Sequence, residues 1–212
     1  MEFIKRFFKR NNTPARNQAL FGSSKSELKE LLVSIGDLTV GNDFLKIDKY
    51  PFEPSIAYRQ PIIKANQIDE LNSLSYPPTI KVGNELIFLT REKKDELEAF
   101  ATRNNVAIVV RPVIWTWILE PFLDTEYTPE TDEKAMDFLG NYGLTAEQVK
   151  SLRTEVQTQM IKYNFDTMLW EWGSFDTSDV LKAMRTKYDK ETYEAFYNRA
   201  MEIALLTNKT EI

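Results

Sequence analysis

Thr79-Ile80-Lys81-Val82-Gly83-Asn84-Glu85-Leu86-Ile87-Phe88-Leu89 decides the fold class of this chain. Two strand-forming runs flank a two-residue turn that starts with glycine, and glycine accepts the positive φ that a type II′ hairpin needs there. Leu38-Thr39-Val40 and Phe44-Leu45-Lys46-Ile47 flank Gly41-Asn42-Asp43 in the same manner. Everything after Thr128 carries helical signals instead. The expectation is therefore an α+β fold, with a mixed N-terminal half of short β-hairpins and helices and an all-helical C-terminal half. Val-Gly-Asn followed by an acid occurs at both turns, but two copies of so short a string do not establish a duplication.

Around the hairpins, Ser24 with Glu27 forms a capping-box pattern ahead of a helix from Lys25 to Ile35, with Gly36 just past its end. Tyr50 to Pro61 holds three prolines and reads as an ordered loop, and Ile62 to Leu74 fits more than one structure. Thr90 stands where it can cap a helix from Arg91 to Arg103, closed by Asn104-Asn105. Val106 to Val110 is a continuous apolar run of the length of a buried strand. Ile114, Trp115, Ile118, Leu119 and Phe122 then recur at helical spacing, and Pro121 ends or kinks that helix near Glu120.

In the C-terminal half, Thr128-Pro129 starts a helix that Gly140 is expected to stop. Thr145 with Gln148 caps the next, whose stripe is Val149, Leu152, Val156, Met160 and Tyr163. Asp176 caps a short helix with Val180, Leu181 and Met184. The last helix aligns Tyr193, Phe196, Tyr197, Ala200, Met201, Ala204 and Leu205, a packing face rather than a cofactor box. The expected organisation is an arm and tether over 1–22, a mixed domain over 23–124 and a helical domain over 125–212.

The 212 residues include no histidine and no cysteine. Ser-His-Asp and Cys-His catalysis, thiol redox chemistry and Cys- or His-based zinc sites are thereby excluded. Seven glycines are scattered, and neither GxGxxG nor GxxxxGK[ST] occurs, which removes those nucleotide cradles. Carboxylate, lysine or tyrosine chemistry remains, or none. No apolar run approaches the roughly 20 residues that span a bilayer. The first ten residues interleave apolar and basic side chains, unlike a secretory leader. The lack of cysteine fits a reducing compartment, and the expected location is cytoplasmic.

Charge is unevenly placed within a net of −5. Residues 1–30 carry seven basic and three acidic side chains, residues 31–125 ten and thirteen, and residues 126–212 ten and sixteen. An acidic body repels phosphate backbones, which argues against nucleic acid as a partner except through the first thirty residues.

Motifs of the kinds that carry chemistry each have an ordinary explanation. Ser26-Glu27-Leu28-Lys29 matches S-x-x-K without its companion motifs and fits a solvated helix face. Glu92-Lys93-Lys94 and Asp132-Glu133-Lys134 hold an acid-x-lysine element, yet both lie at expected helix starts, where acids complement the macrodipole. Glu120, Asp124, Glu126, Glu130, Asp132 and Glu133 form the densest acidic stretch but lack the alternating ligands and central glycine of a calcium loop. Trp170-Glu171-Trp172 places a carboxylate between aromatic faces, as glycosidases do, although no second acid is assignable. Trp115 and Trp117 point to nearly opposite sides of a helix, so an exposed one would be a binding anchor.

The functional expectation rests on residues 1–10. Phe3, Ile4, Phe7 and Phe8 form an apolar stripe between Lys5, Arg6, Lys9 and Arg10, joined to the body by a polar tether containing Pro14. Ten residues do not hold a helix alone in water, so the segment must dock. Its own domain, a partner chain and an anionic membrane are the competing surfaces. The leading expectation is a non-enzymatic interaction or assembly subunit that uses residues 1–10 as a docking arm, with no cofactor, no metal ligand and no catalytic residue assigned. The alternative is a carboxylate-dependent hydrolase using Glu171 or the acidic stretch near Asp124.

Overall fold

The computed structural model describes residues 23–123, 127–166 and 174–208. The fold is α+β, with two small sheets in the N-terminal half and helices in the C-terminal half. Helix α1 (Lys25–Leu31) leads into strands β1 (Asp37–Val40) and β2 (Phe44–Asp48). The short helix α2 (Ile56–Arg59) and strand β3 (Ile62–Lys64) follow. Strands β4 (Glu70–Asn72), β5 (Thr79–Val82) and β6 (Glu85–Phe88) precede helix α3 (Lys94–Arg103) and strand β7 (Ala107–Ile108). Helices α4 (Ile114–Leu119), α5 (Pro129–Asn141), α6 (Ala146–Asp166), α7 (Thr177–Arg185) and α8 (Lys190–Ala204) complete the described chain.

The sheets run β1-β2-β3, wholly antiparallel, and β6-β5-β4-β7, in which only the β4–β7 pairing is parallel. The repeated Val-Gly-Asn string makes two different connections. Val82 pairs with Glu85 across Gly83-Asn84, and Gly83 sits at φ 58° in the first turn position. At the other turn Val40 pairs with Leu45 across a loop of greater length, closed by Gly41 N–H donating to the Phe44 carbonyl at 2.8 Å.

The local helix signals act where the chain places them. Ser24 and Glu27 complete a capping box, as do Thr145 and Gln148, and Asp176 with Asp179. Three local expectations are corrected. Helix α1 ends at Leu31, not Ile35, because Leu31 is buried while Leu32 is exposed and the chain must turn towards β1. Gly36 serves that turn instead: it sits at φ 91°, and a Cβ there would lie 2.6 Å from the Asp48 carbonyl oxygen. Gly140 lies inside α5, and Gly143 (φ 90°) ends it, with Gly143 N–H on the Gly140 carbonyl and Leu144 N–H on the Leu139 carbonyl. Thr90 makes no side-chain cap bond, and a 3₁₀ turn over Arg91–Lys93 starts that helical stretch.

One hydrophobic cluster runs from Leu31 to Ala204, so sheets and helices share a core. Phe52 sits at the seam, with ring centroids 5.5 Å from Tyr50, 5.8 Å from Phe88 and 6.3 Å from Tyr197. Trp115 is fully buried beside Phe196 and donates its indole N–H to the Ala200 carbonyl at 3.0 Å. Packing of this kind holds α4 and α8 together while keeping the Trp115 indole donor paired. Among the described residues, no helix is long and apolar enough to cross a membrane.

Candidate functional site

Several sequence candidates are placed by the fold in structural roles. Asp132, in the first turn of α5, receives the Tyr127 hydroxyl at 2.6 Å and an Arg153 N–H at 2.8 Å, and these two bonds lower its pKa. Arg153 also donates to the Ile118 and Trp117 carbonyls at 3.1 and 3.3 Å, placing a cation on the last turn of α4, where the helix dipole favours it. The acid at Asp132 therefore belongs to a clasp between α4, α5 and α6. Ser26 and Lys29 lie exposed on α1. Lys93 bridges Glu96 at 2.6 Å at the start of α3.

Neither tryptophan of α4 is an exposed anchor. Trp115 is buried, and Trp117 is half-buried, stacked on Phe138 with centroids 4.5 Å apart. Residues 1–10, with Phe3, Ile4, Lys5, Arg6, Phe7, Phe8, Lys9 and Arg10, lie outside the described residues, as do Asp124, Glu126, Trp170, Glu171 and Trp172. The chain enters the described body at Ser23, which is buried and donates both its N–H and its hydroxyl to the Asp166 carboxylate near the end of α6.

Folding assembles a cleft of about 530 Å³ from three separated segments. Glu53, Pro54, Tyr58 and Arg59 come from the α2 region, Arg185 and Tyr188 from the end of α7, and Asp189, Lys190, Tyr193 and Glu194 from the start of α8. Arg185 bridges Glu30 of α1, at 3.1 Å, and Glu53, tying α7 to both. Asp189 caps α8 by accepting the Thr192 N–H at 2.8 Å, and that bond holds its carboxyl below the usual range. Tyr188 donates to Glu155, which also receives Arg199 and so ties α6 to α8. Tyrosine rings with arginine and balanced charge suit contact with a polypeptide more than a single fixed anion. No local signal in the sequence marked this cleft, because its residues meet only in three dimensions.

A second group surrounds the start of α7. Asp176 accepts the Ser178 N–H and Asp179 accepts the Asp176 N–H at 3.0 Å, while Tyr163 donates its hydroxyl to Asp179 at 2.7 Å. Lys182 stands 3.9 Å from Asp179. Burial, and then the neighbouring Asp179 carboxylate, push Asp176 up to about 7. Asp176 faces a cavity of about 20 Å³ shared with Asn72, Thr79, Arg111 and Thr177. That is room for about one water. The sequence marked Asp176 as a helix cap, and it is one; what spacing could not supply is the burial that shifts its titration.

Among the described residues, no cluster of three or more Asp or Glu is arranged to hold a metal ion. No protein-family model matches the chain, and the comparisons with curated proteins and with solved structures give no match either.

Proposed function

We propose that this chain is a non-enzymatic interaction or assembly subunit, working in the cytoplasm and docking to a protein partner through residues 1–10. The observation that carries the reading is the separation of charge and apolarity along the chain. A segment with four aromatic or aliphatic side chains among four basic ones precedes a body of net negative charge. Burying Phe3, Ile4, Phe7 and Phe8 would gain about 6–12 kcal/mol gross. The anchorage of Ser23 on Asp166 supports this reading, since it gives a tether a defined point of departure from the body. The tyrosine-lined cleft adds a second surface of the composition that protein contacts use.

The test deletes residues 1–12 and, separately, introduces Phe7→Asp. The intact chain is expected to form a high-mass species in lysate, and both variants to lose it while keeping the melting temperature, because a charge at the centre of a buried stripe is costly to desolvate. Changing Lys5, Arg6, Lys9 and Arg10 to Ser separates an acidic partner or anionic vesicle, which loses affinity and salt dependence, from an apolar groove, which is little affected. A deletion that lowers stability by several kcal/mol assigns the stripe to the protein's own core and overturns the proposal.

A carboxylate-dependent hydrolase is the second reading, and Asp176 is the observation in its favour. An acid raised to about 7 beside a second carboxyl group has the character of a general acid. The cavity it faces is far smaller than the about 300–1,000 Å³ of ligand pockets, which ranks this reading second. Loss of a measured hydrolytic activity in Asp176→Asn, Glu171→Gln or Asp124→Asn with unchanged stability would reverse the ranking.

A further inference from the structure

The four-stranded sheet treats its two edges differently. Along β6 the outward N–H groups of Leu86 and Phe88 meet side chains, the Met201 sulfur at 3.4 Å and the Tyr50 hydroxyl at 3.0 Å. At the other edge, Val109 N–H donates to the Leu71 carbonyl at 2.9 Å and Asn72 holds the Arg111 carbonyl at 3.1 Å, so Val109 and Arg111 face β4. The alternation of a parallel ladder then turns the N–H and C=O of Ile108 outward, and Val110 lies two residues further along the chain, past the end of the strand. Ala107, Ile108 and Val110 are all exposed, Ile108 at 50% and Val110 at 76%. The expectation of a buried strand over Val106–Val110 is corrected here: Val106 is buried, but only Ala107 and Ile108 form a strand, and among the described residues they stand at an exposed sheet edge. Apolar, β-branched edges without a charge, bulge or proline among them are the ones that recruit another strand.

We infer that the β7 edge pairs antiparallel with the same edge of a second copy of this chain, centred on Ile108, so that two four-stranded sheets continue into each other across a twofold axis. The run Val106-Ala107-Ile108-Val109-Val110 is nearly palindromic about Ile108. Antiparallel pairing about that residue sets Val106 against Val110, Ala107 against Val109 and Ile108 against itself, so two of the three kinds of cross-strand pair are β-branched, a type that stabilises sheets. Charge is also self-compatible. Arg111 falls opposite Asn105, and its own charge is already bridged to Glu70 at 2.6 Å. An unrelated partner would need a matching strip, whereas a second copy supplies one by symmetry. Ile108 would exchange N–H···O bonds with its symmetry mate, and Val110 N–H would reach the carbonyl of the other copy's Val106. So short a strip makes a small interface, and small interfaces associate weakly and reversibly. This contact is separate from the N-terminal docking reading and does not depend on it.

Sedimentation equilibrium of the full chain up to about 1 mM, the weak end of specific association, is expected to show a monomer–dimer equilibrium. Val110→Lys keeps the fold because the side chain is already exposed, and it is expected to weaken dimerisation at least tenfold. Phe7→Asp should leave the dimer intact, which separates this edge from the arm. Because the chain has no cysteine, Ile108→Cys introduces a single thiol on the twofold axis. The about 5.5 Å between Cα atoms of a hydrogen-bonded antiparallel pair lies within disulfide reach. Under mild oxidation this variant should form a covalent dimer much faster than Tyr58→Cys, whose side chain is equally exposed at 51%. A monomer at every concentration, a dimer undiminished by Val110→Lys, or equal cross-linking of the two cysteine variants would each overturn the inference.

Discussion

The two edges of the β6-β5-β4-β7 sheet are built from similar residues and finished in opposite ways. The β6 edge lies under α8, so its outward N–H groups cannot reach water and take side-chain partners instead. The β7 edge lies at the surface, where water or another chain can satisfy the same groups. Burial, rather than strand sequence, decides whether the protein must spend a side chain on a backbone group, because an unpaired buried N–H costs about as much as a lost hydrogen bond. Glu85 extends the sealed side by accepting the Tyr197 hydroxyl at 2.6 Å and the Ile56 N–H at 2.8 Å.

The largest effect should come from removing the cover. Met201 is buried, and Met201→Ala is expected to cost about 2–5 kcal/mol in urea unfolding, through the cavity and the uncovered Leu86 N–H. Met201→Leu keeps most of the volume and is expected to cost less than about 1.5 kcal/mol. Equal losses in the two variants would mean that the sulfur contact, not packing, seals the edge. Next in size, Tyr50→Phe keeps the ring against Phe52 but leaves the Phe88 N–H buried without its acceptor, for an expected about 1–3 kcal/mol. No measurable loss would show that the β6 edge is not sealed as described.

The same contrast appears at two consecutive helix starts. Asp176 and Asp189 are both N-caps, but burial and Asp179 raise Asp176 to about 7, whereas exposed Asp189 is lowered by its bonds to Thr192. A raised folded value means that the native state holds the extra proton, so this contribution to stability is present below about pH 4 and is lost as pH rises through about 7. Asp189 acts with the opposite sign, adding stability above its unfolded value that disappears on acidification. The urea midpoint of Asp176→Asn relative to the unmodified chain is therefore expected to improve from pH 5 to pH 8. That of Asp189→Asn should recover as pH falls from 5 to 3.5. A flat difference for Asp176→Asn would show that its carboxyl is solvated.

Much of this was legible where the physics is local. The capping pairs Ser24–Glu27 and Thr145–Gln148 and the stripe Val149–Tyr163 act within a few residues of themselves, and all three form. The Gly83 turn is legible for the same reason. The end of α1 was not, because it is set by where β1 and β2 must lie, and the stop of α5 shifted to the glycine that could take positive φ. Val106–Val110 carries the pattern of a buried strand, and nothing in five residues records which neighbours fail to cover it. The cleft is less legible still, since Tyr58, Arg185 and Lys190 belong to segments far apart in the chain.

The smallest expected effect falls on the open edge itself. Val110 is 76% exposed, so Val110→Lys removes little packing. Its folding stability at low protein concentration should stay within about 0.5 kcal/mol of the unmodified chain, as surface changes away from special features do. The comparison with Tyr50→Phe is then made at one sheet, in one assay. A large loss at Val110 would mean that the β7 edge is covered in the folded monomer and that the two edges are finished alike. A negligible loss, beside a clear one at Tyr50, would establish that this sheet is closed on one side and left free on the other.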